Sequence, residues 1–95
     1  MKGGGKTSLL IDQSKAFRKD VKSCEDRGLA MEELKSVIRR LSQREKLDPK
    51  HRDHKLSGDY HRYRECHVQP DWLLIYRIDD QILYLVRTGT HADLY

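Results

Sequence analysis

Five side chains toward one end of the sequence are of the types that move protons and hold phosphates: His67, Asp71, Trp72, Arg87 and His91. Imidazole, with an ordinary pKa of about 6.5, gives or takes a proton near neutrality. A carboxylate orients an imidazole, a guanidinium meets charge on phosphoryl oxygens, and an indole stacks on an unpaired base. Twenty-four residues separate His67 from His91, so the fold must bring them together. Residues 60–68, 72–79 and 81–88 are three runs rich in β-branched and aromatic side chains, divided by Pro70-Asp71 and Asp79-Asp80. That pattern predicts an antiparallel meander. In such a meander the end of the first strand, the start of the second and the end of the third share one edge. The five side chains are expected to converge there.

Strand alternation then predicts faces. In the first strand Tyr60, Arg62, Arg64, Cys66 and Val68 share one side, and His61, Tyr63, Glu65 and His67 the other. The second is apolar on both sides and should be central. In the third, Arg87 is expected beside Leu83 and Leu85. Thr90 and Asp93 are spaced as a capping box that would open a short helical turn at His91. Upstream, residues 7–11 read as a strand. Asp12 or Ser14 can cap a helix carrying Phe17, Val21 and Cys24 on one stripe and ending at Arg27-Gly28. Met31, Leu34, Val37, Ile38 and Leu41 mark a second amphipathic helix, with Glu32 and Glu33 in its first turn and Arg39 and Arg40 near its end. Residues 45–59 show no period and carry Lys46, Lys50, His51, Arg52, His54 and Lys55. They are expected to form a basic loop, either contacting substrate or simply solvated. The predicted fold is a single α+β domain of order β-α-α-β-β-β-α. An antiparallel sheet, made of the N-terminal strand and the meander, packs on a two-helix hairpin and ends in a short helical turn.

At 95 residues the chain holds one modest core. Residues 1–5, Met-Lys-Gly-Gly-Gly, are expected to be a flexible lead and residues 6–95 the domain. No stretch reads as a signal peptide or a membrane span. Two isolated cysteines, Cys24 and Cys66, do not make a disulfide framework, which points to the cytoplasm. The net charge of +4 is uneven: the excess of Lys and Arg lies in residues 1–50, and all five histidines lie in residues 51–95. A basic first half suits a polyanion or an acidic protein partner, and equally a solvated face. A metal site is disfavoured because Cys66 and His67, adjacent in a strand, point to opposite faces, and no pair of ligands has zinc-finger spacing.

The run Asp53-His54, Leu56-Ser57-Gly58, Tyr63-Arg64, His67-Val68, Pro70-Asp71-Trp72, Ile75-Tyr76, Arg87-Thr88-Gly89-Thr90-His91 and Leu94-Tyr95 resembles the YafQ-type toxins. These are a branch of the RelE/ParE superfamily of type II toxin–antitoxin systems. The resemblance implies a ribosome-dependent messenger-RNA endonuclease, without metal or other cofactor, held in a hetero-oligomer by a DinJ-like antitoxin. It places the functional positions on His54, His67, Asp71, Trp72, Arg87 and His91, with Tyr95 where the family usually has phenylalanine. On this reading His54 is the base, His91 the acid and Arg87 the clamp on the transition state, and the first two labels can be exchanged. His67 and Asp71 position and tune. Trp72 and Tyr95 would stack bases, while Lys46, Lys50 and Lys55 would meet RNA phosphates. Arg64 either joins the phosphate contacts or sits in an internal ion pair. The alternative is a non-catalytic toxin of the ParE kind that binds a protein such as gyrase.

Overall fold

The structure, a computed structural model, describes residues 8–95. The expected lead at 1–5, and Thr7 of the expected first strand, lie outside the described residues. The chain runs β1 (Leu10–Gln13), α1 (Lys15–Asp26), α2 (Met31–Ser42), β2 (His54–Lys55), β3 (Arg64–Gln69), β4 (Trp72–Asp79), β5 (Ile82–Thr90) and α3 (His91–Leu94). One five-stranded sheet is formed, in the order β1-β5-β4-β3-β2.

Each helix starts and stops for a local reason. Ser14 caps α1, its side chain accepting from the Phe17 N–H at 2.9 Å and donating to the Val86 carbonyl at 2.7 Å. Gly28, at φ +76°, lets the chain turn back after α1 at little steric cost. Phe17 and Cys24 of α1 and Leu34, Val37 and Leu41 of α2 are buried. They meet Cys66, Val68, Trp72, Leu74, Tyr76, Leu83 and Leu85 on one face of the sheet. Each fully buried Leu contributes about 2 kcal/mol of apolar transfer free energy.

Three expectations are corrected. The sheet is mixed, because β1 runs parallel to β5, pairing Leu10 with Ile82 and Gln13 with Leu85. Turn residues specify neighbouring strands, but the helical hairpin decides in which direction β1 meets its distant partner. The basic segment 45–59 is not an open loop. Leu47 enters the core, Pro49–His51 and Gly58–Tyr60 are single 3-10 turns, and β2 pairs with β3 through His54–Glu65 and Lys55–Arg64. His51, buried, donates from Nδ1 to the His67 carbonyl at 2.6 Å and ties the segment down. The first meander strand begins at Arg64, since residues 60–63 are spent on the turn leading into it.

β5 carries the irregularity that matters for function. Ile75 faces Arg87 but Tyr76 faces Leu85, so Val86 is an extra residue. This bulge breaks the alternation and turns Arg87 away from Leu83 and Leu85, onto the face that carries Ile75.

Candidate active site

The helix-free face of the sheet is where the polar side chains gather. Register places His54 beside Glu65, Glu65 beside Ile75 and Ile75 beside Arg87. These four positions make one row across four strands, about 14 Å from end to end at ~4.8 Å per strand. At one end the Arg87 guanidinium forms a two-pronged ion pair with Asp20 of α1, Nε at 2.6 Å and Nη2 at 3.1 Å. Asp20 also accepts the Thr88 backbone N–H at 3.1 Å, which fixes the carboxylate before Arg87 is considered. At the other end His54 donates from Nδ1 to the Arg52 carbonyl at 2.6 Å, a bond that leaves Nε2 as its free nitrogen. That Nε2 lies 3.5 Å from Glu65 Oε1. Glu65 is only 7% exposed and takes the Tyr95 hydroxyl on its other oxygen.

Two residues further along β3, about 7 Å away, lies the rim formed by His67, Asp71 and His91. His91 donates from Nδ1 to Asp71 Oδ1 at 2.9 Å, and its backbone N–H reaches the same oxygen at 3.4 Å. Those two contacts, the side-chain bond first, hold the Asp71 carboxyl below its ordinary range. His67 donates from Nδ1 to the Pro70 carbonyl at 3.0 Å, so its Nε2 is the nitrogen left over. The His67 and His91 rings are 6.0 Å apart, and Tyr95 lies 6.2 Å from His91. The capping box is present: Thr90 accepts from the Asp93 N–H, and Asp93 accepts from the Thr90 N–H. Arg27, at the C-terminal cap of α1, adds a 2.8 Å ion pair to Asp93, holding α3 from the far side. Together with the Thr90 backbone bond it brings the Asp93 carboxyl down to about 2.

Over the row opens a cleft of about 520 Å³, lined by Leu56, Tyr60, Tyr63, Ile75, Arg87 and Tyr95 among others. The Tyr60 and Tyr95 rings are well exposed beside it. An apolar, aromatic cleft with a guanidinium on one wall, its Tyr95 ring 6.2 Å from His91, suits a single-stranded polyanion with planar rings.

Residues 9–95 match the family model described as the bacterial toxin of a type II toxin–antitoxin system, YafQ. This chain belongs to the YafQ toxin family. It is 41% identical over 86 residues to the mRNA interferase toxin YafQ of Escherichia coli K12, covering 90% of this chain and 94% of that one. Among solved structures it resembles the toxin in the E. coli DinJ-YafQ toxin–antitoxin complex, with TM-score 0.86 and 39% identity over 93% of this chain and 98% of that one. It also resembles a metal-bound toxin from Helicobacter pylori, with TM-score 0.86 and 40% identity over 92% of this chain and 99% of that one. Here, among the described residues, no three His, Cys, Asp or Glu side chains cluster closely enough to hold an ion. Cys66 faces the core, where burial pushes its thiol up to about 12.

In this member of the YafQ family the meander does bring His67, Asp71 and His91 to one edge, as its topology requires. Two of the five residues expected there lie elsewhere. Trp72 is 2% exposed and points into the helix-packed core, its indole N–H donating to Thr88 Oγ1 at 2.9 Å. No base can stack on it. Arg87 sits three residues back along β5, in the row with Glu65. Arg64 is in an internal ion pair, with Asp53 at 3.2 Å and the Tyr76 hydroxyl at 3.3 Å, which disfavours a phosphate role. Asp71 engages His91, which follows β5, rather than His67 across its own turn. Lys46, Lys50 and Lys55 are exposed. Sequence reasoning gave no role to Asp20 or Glu65. Glu65 was legible as a lone carboxylate on the His67 face of its strand; Asp20 had no signal among the other charges of its helix. No helix among the described residues is long and apolar enough to cross a membrane.

Proposed function

We propose that this chain is an endoribonuclease toxin that cuts messenger RNA on the ribosome and is neutralised by a DinJ-like antitoxin protein. One observation carries the reading: Tyr95, which lines the aromatic cleft with the pre-oriented Arg87 guanidinium, lies 6.2 Å from the His91 imidazole and shares Glu65 with the His54 imidazole. His54 Nε2 takes the proton of a 2′-hydroxyl, and the freed oxygen attacks the adjacent phosphorus in line. Asp20 occupies Nε and one hydrogen of Nη2 on Arg87, which leaves Nη1 and the remaining hydrogen for the non-bridging oxygens. His91, oriented through Nδ1 by Asp71, gives a proton from Nε2 to the departing 5′-oxygen. His67 presents its own Nε2 beside them and positions the phosphate, and Tyr95 offers an exposed ring for an unstacked base. The names of acid and base exchange without altering the scheme. A ParE-like binding toxin would have no use for this ordered set of imidazoles.

The test is to map cleavage products on programmed ribosomes. The upstream fragment should end in a 2′,3′-cyclic or 3′-phosphate, without a requirement for metal beyond that of the ribosome. His91→Ala should lower the rate by a factor of about a hundred to ten thousand. A 3′-hydroxyl end would overturn the 2′-hydroxyl attack, and full cleavage by folded His91→Ala would remove that residue from the chemistry.

A further inference from the structure

We propose that Glu65 is a positioning residue for this reaction, its buried carboxylate yoking the Tyr95 ring, which lines the cleft, to the His54 imidazole. The inference rests on the ribonuclease reading of His54 and Tyr95. Burying a carboxylate is costly unless its oxygens are satisfied. Glu65 is 7% exposed, and among the described residues no Lys or Arg pairs with it. One oxygen accepts the Tyr95 hydroxyl, and the other faces His54 Nε2 at 3.5 Å, a contact that becomes an ion pair once that nitrogen has taken a proton. Both partners stand at the surface. His54 lies on a two-residue edge strand with its side chain half exposed, and Tyr95, an exposed residue, follows a four-residue helix. Glu65 is therefore the common partner of two exposed groups that must stand in fixed places around one phosphate.

The anchor also has a direction. The Arg52 carbonyl takes the Nδ1 hydrogen and sets the rotation of the His54 ring, so Nε2 faces the carboxylate. A proton arriving at Nε2 finds a charged acceptor already in place. The Tyr95 phenol, pushed up to about 12 by burial and by Glu65, stays protonated and keeps donating. Displacement of the Tyr95 hydroxyl should then be felt at His54, which it does not touch.

Three variants of the full chain test this, assayed for kcat and KM on programmed ribosomes and by NMR of the histidine ring carbons. Glu65→Gln keeps the shape and can still accept from Tyr95 but loses the charge facing His54. It should lower kcat by about a hundredfold with KM nearly unchanged. Tyr95→Phe, an exposed change that leaves folding intact, should shift the His54 ring resonances. The double variant should be no slower than Glu65→Gln alone, because Tyr95 acts through Glu65. Losses that multiply, unmoved His54 resonances in Tyr95→Phe, or a normal kcat in Glu65→Gln would each overturn the proposal. If the unmodified chain cuts no RNA, the ribonuclease reading fails separately, and the NMR arm still decides whether the yoke exists.

Discussion

Asp71 and Trp72 are neighbours in the chain with opposite fates, and that contrast tests the site at the scale of single residues. Asp71 stands at the surface with its charge held by His91. Asp71→Asn keeps the turn but replaces an ionised acceptor with an amide that cannot support an imidazolium. Cleavage should fall by about a hundredfold with little change in melting temperature. A variant that melts early yet cleaves normally would make Asp71 a turn residue only. Trp72→Phe should behave the other way. It removes the indole donor from Thr88, whose hydroxyl donates onward to the Leu73 carbonyl at 2.7 Å. The cost should be about 1–3 kcal/mol of stability. Folded Trp72→Phe should cleave RNA at a near-normal rate, and a selective loss of activity at unchanged stability would return Trp72 to the site.

At the scale of elements, α3 is the piece on which the rim depends, since it begins with His91 and leads to Tyr95. Four residues cannot be helical alone, and helix nucleation is unfavourable without tertiary support. The support comes from the capping box, the Arg27–Asp93 ion pair and Gly89, where a Cβ would come within 2.9 Å of Asp93 Cβ. Asp93 titrates at about 2 in the folded chain against an ordinary 3.8. A carboxyl depressed by folding contributes stability above its unfolded pKa and loses it as the pH falls through the folded one. The docking of α3 should therefore weaken between pH 4 and pH 2, visible as broadening of the His91 and Tyr95 resonances. Asp93→Asn should show that loosened state already at neutral pH. An α3 that stays equally ordered in Asp93→Asn would mean that Thr90 and the sheet hold it without the ion pair.

For the whole molecule the question is how a small basic domain finds its substrate. Lys46 and Lys50 are exposed on the segment that leads into β2, and Lys55 is exposed in β2 itself, next to His54. Phosphate contacts of this kind release counterions and weaken steeply with salt. Replacing all three with Glu should weaken co-sedimentation with ribosomes, flatten its salt dependence and reduce toxicity, while leaving the row and the rim intact. Unchanged co-sedimentation across a salt series would make these lysines a solvated face.

The order of elements was legible because it is written locally. Ser14 and Gly28 bound α1, the 3.6-residue spacing from Met31 to Leu41 marks α2, and Pro70-Asp71 joins two strands. The same local rules placed His67, Asp71 and His91 on one edge, because a meander has only one way to fold back on itself. Distance along the chain hid the rest. The direction of β1 depends on where the helical hairpin returns it, 72 residues from Leu10 to its partner Ile82. The bulge at Val86, which swings Arg87 into the cleft, leaves no mark on the alternation of β5 before its partner strand is known. Trp72 is equally fit to stack on a base or to fill a core, and the helices packed on its face decided the matter. Asp20 and Glu65 became functional candidates only through their partners: Arg87 lies 67 residues from Asp20, and Tyr95 lies 30 from Glu65. A charge states what a residue can do, and only packing states what it meets.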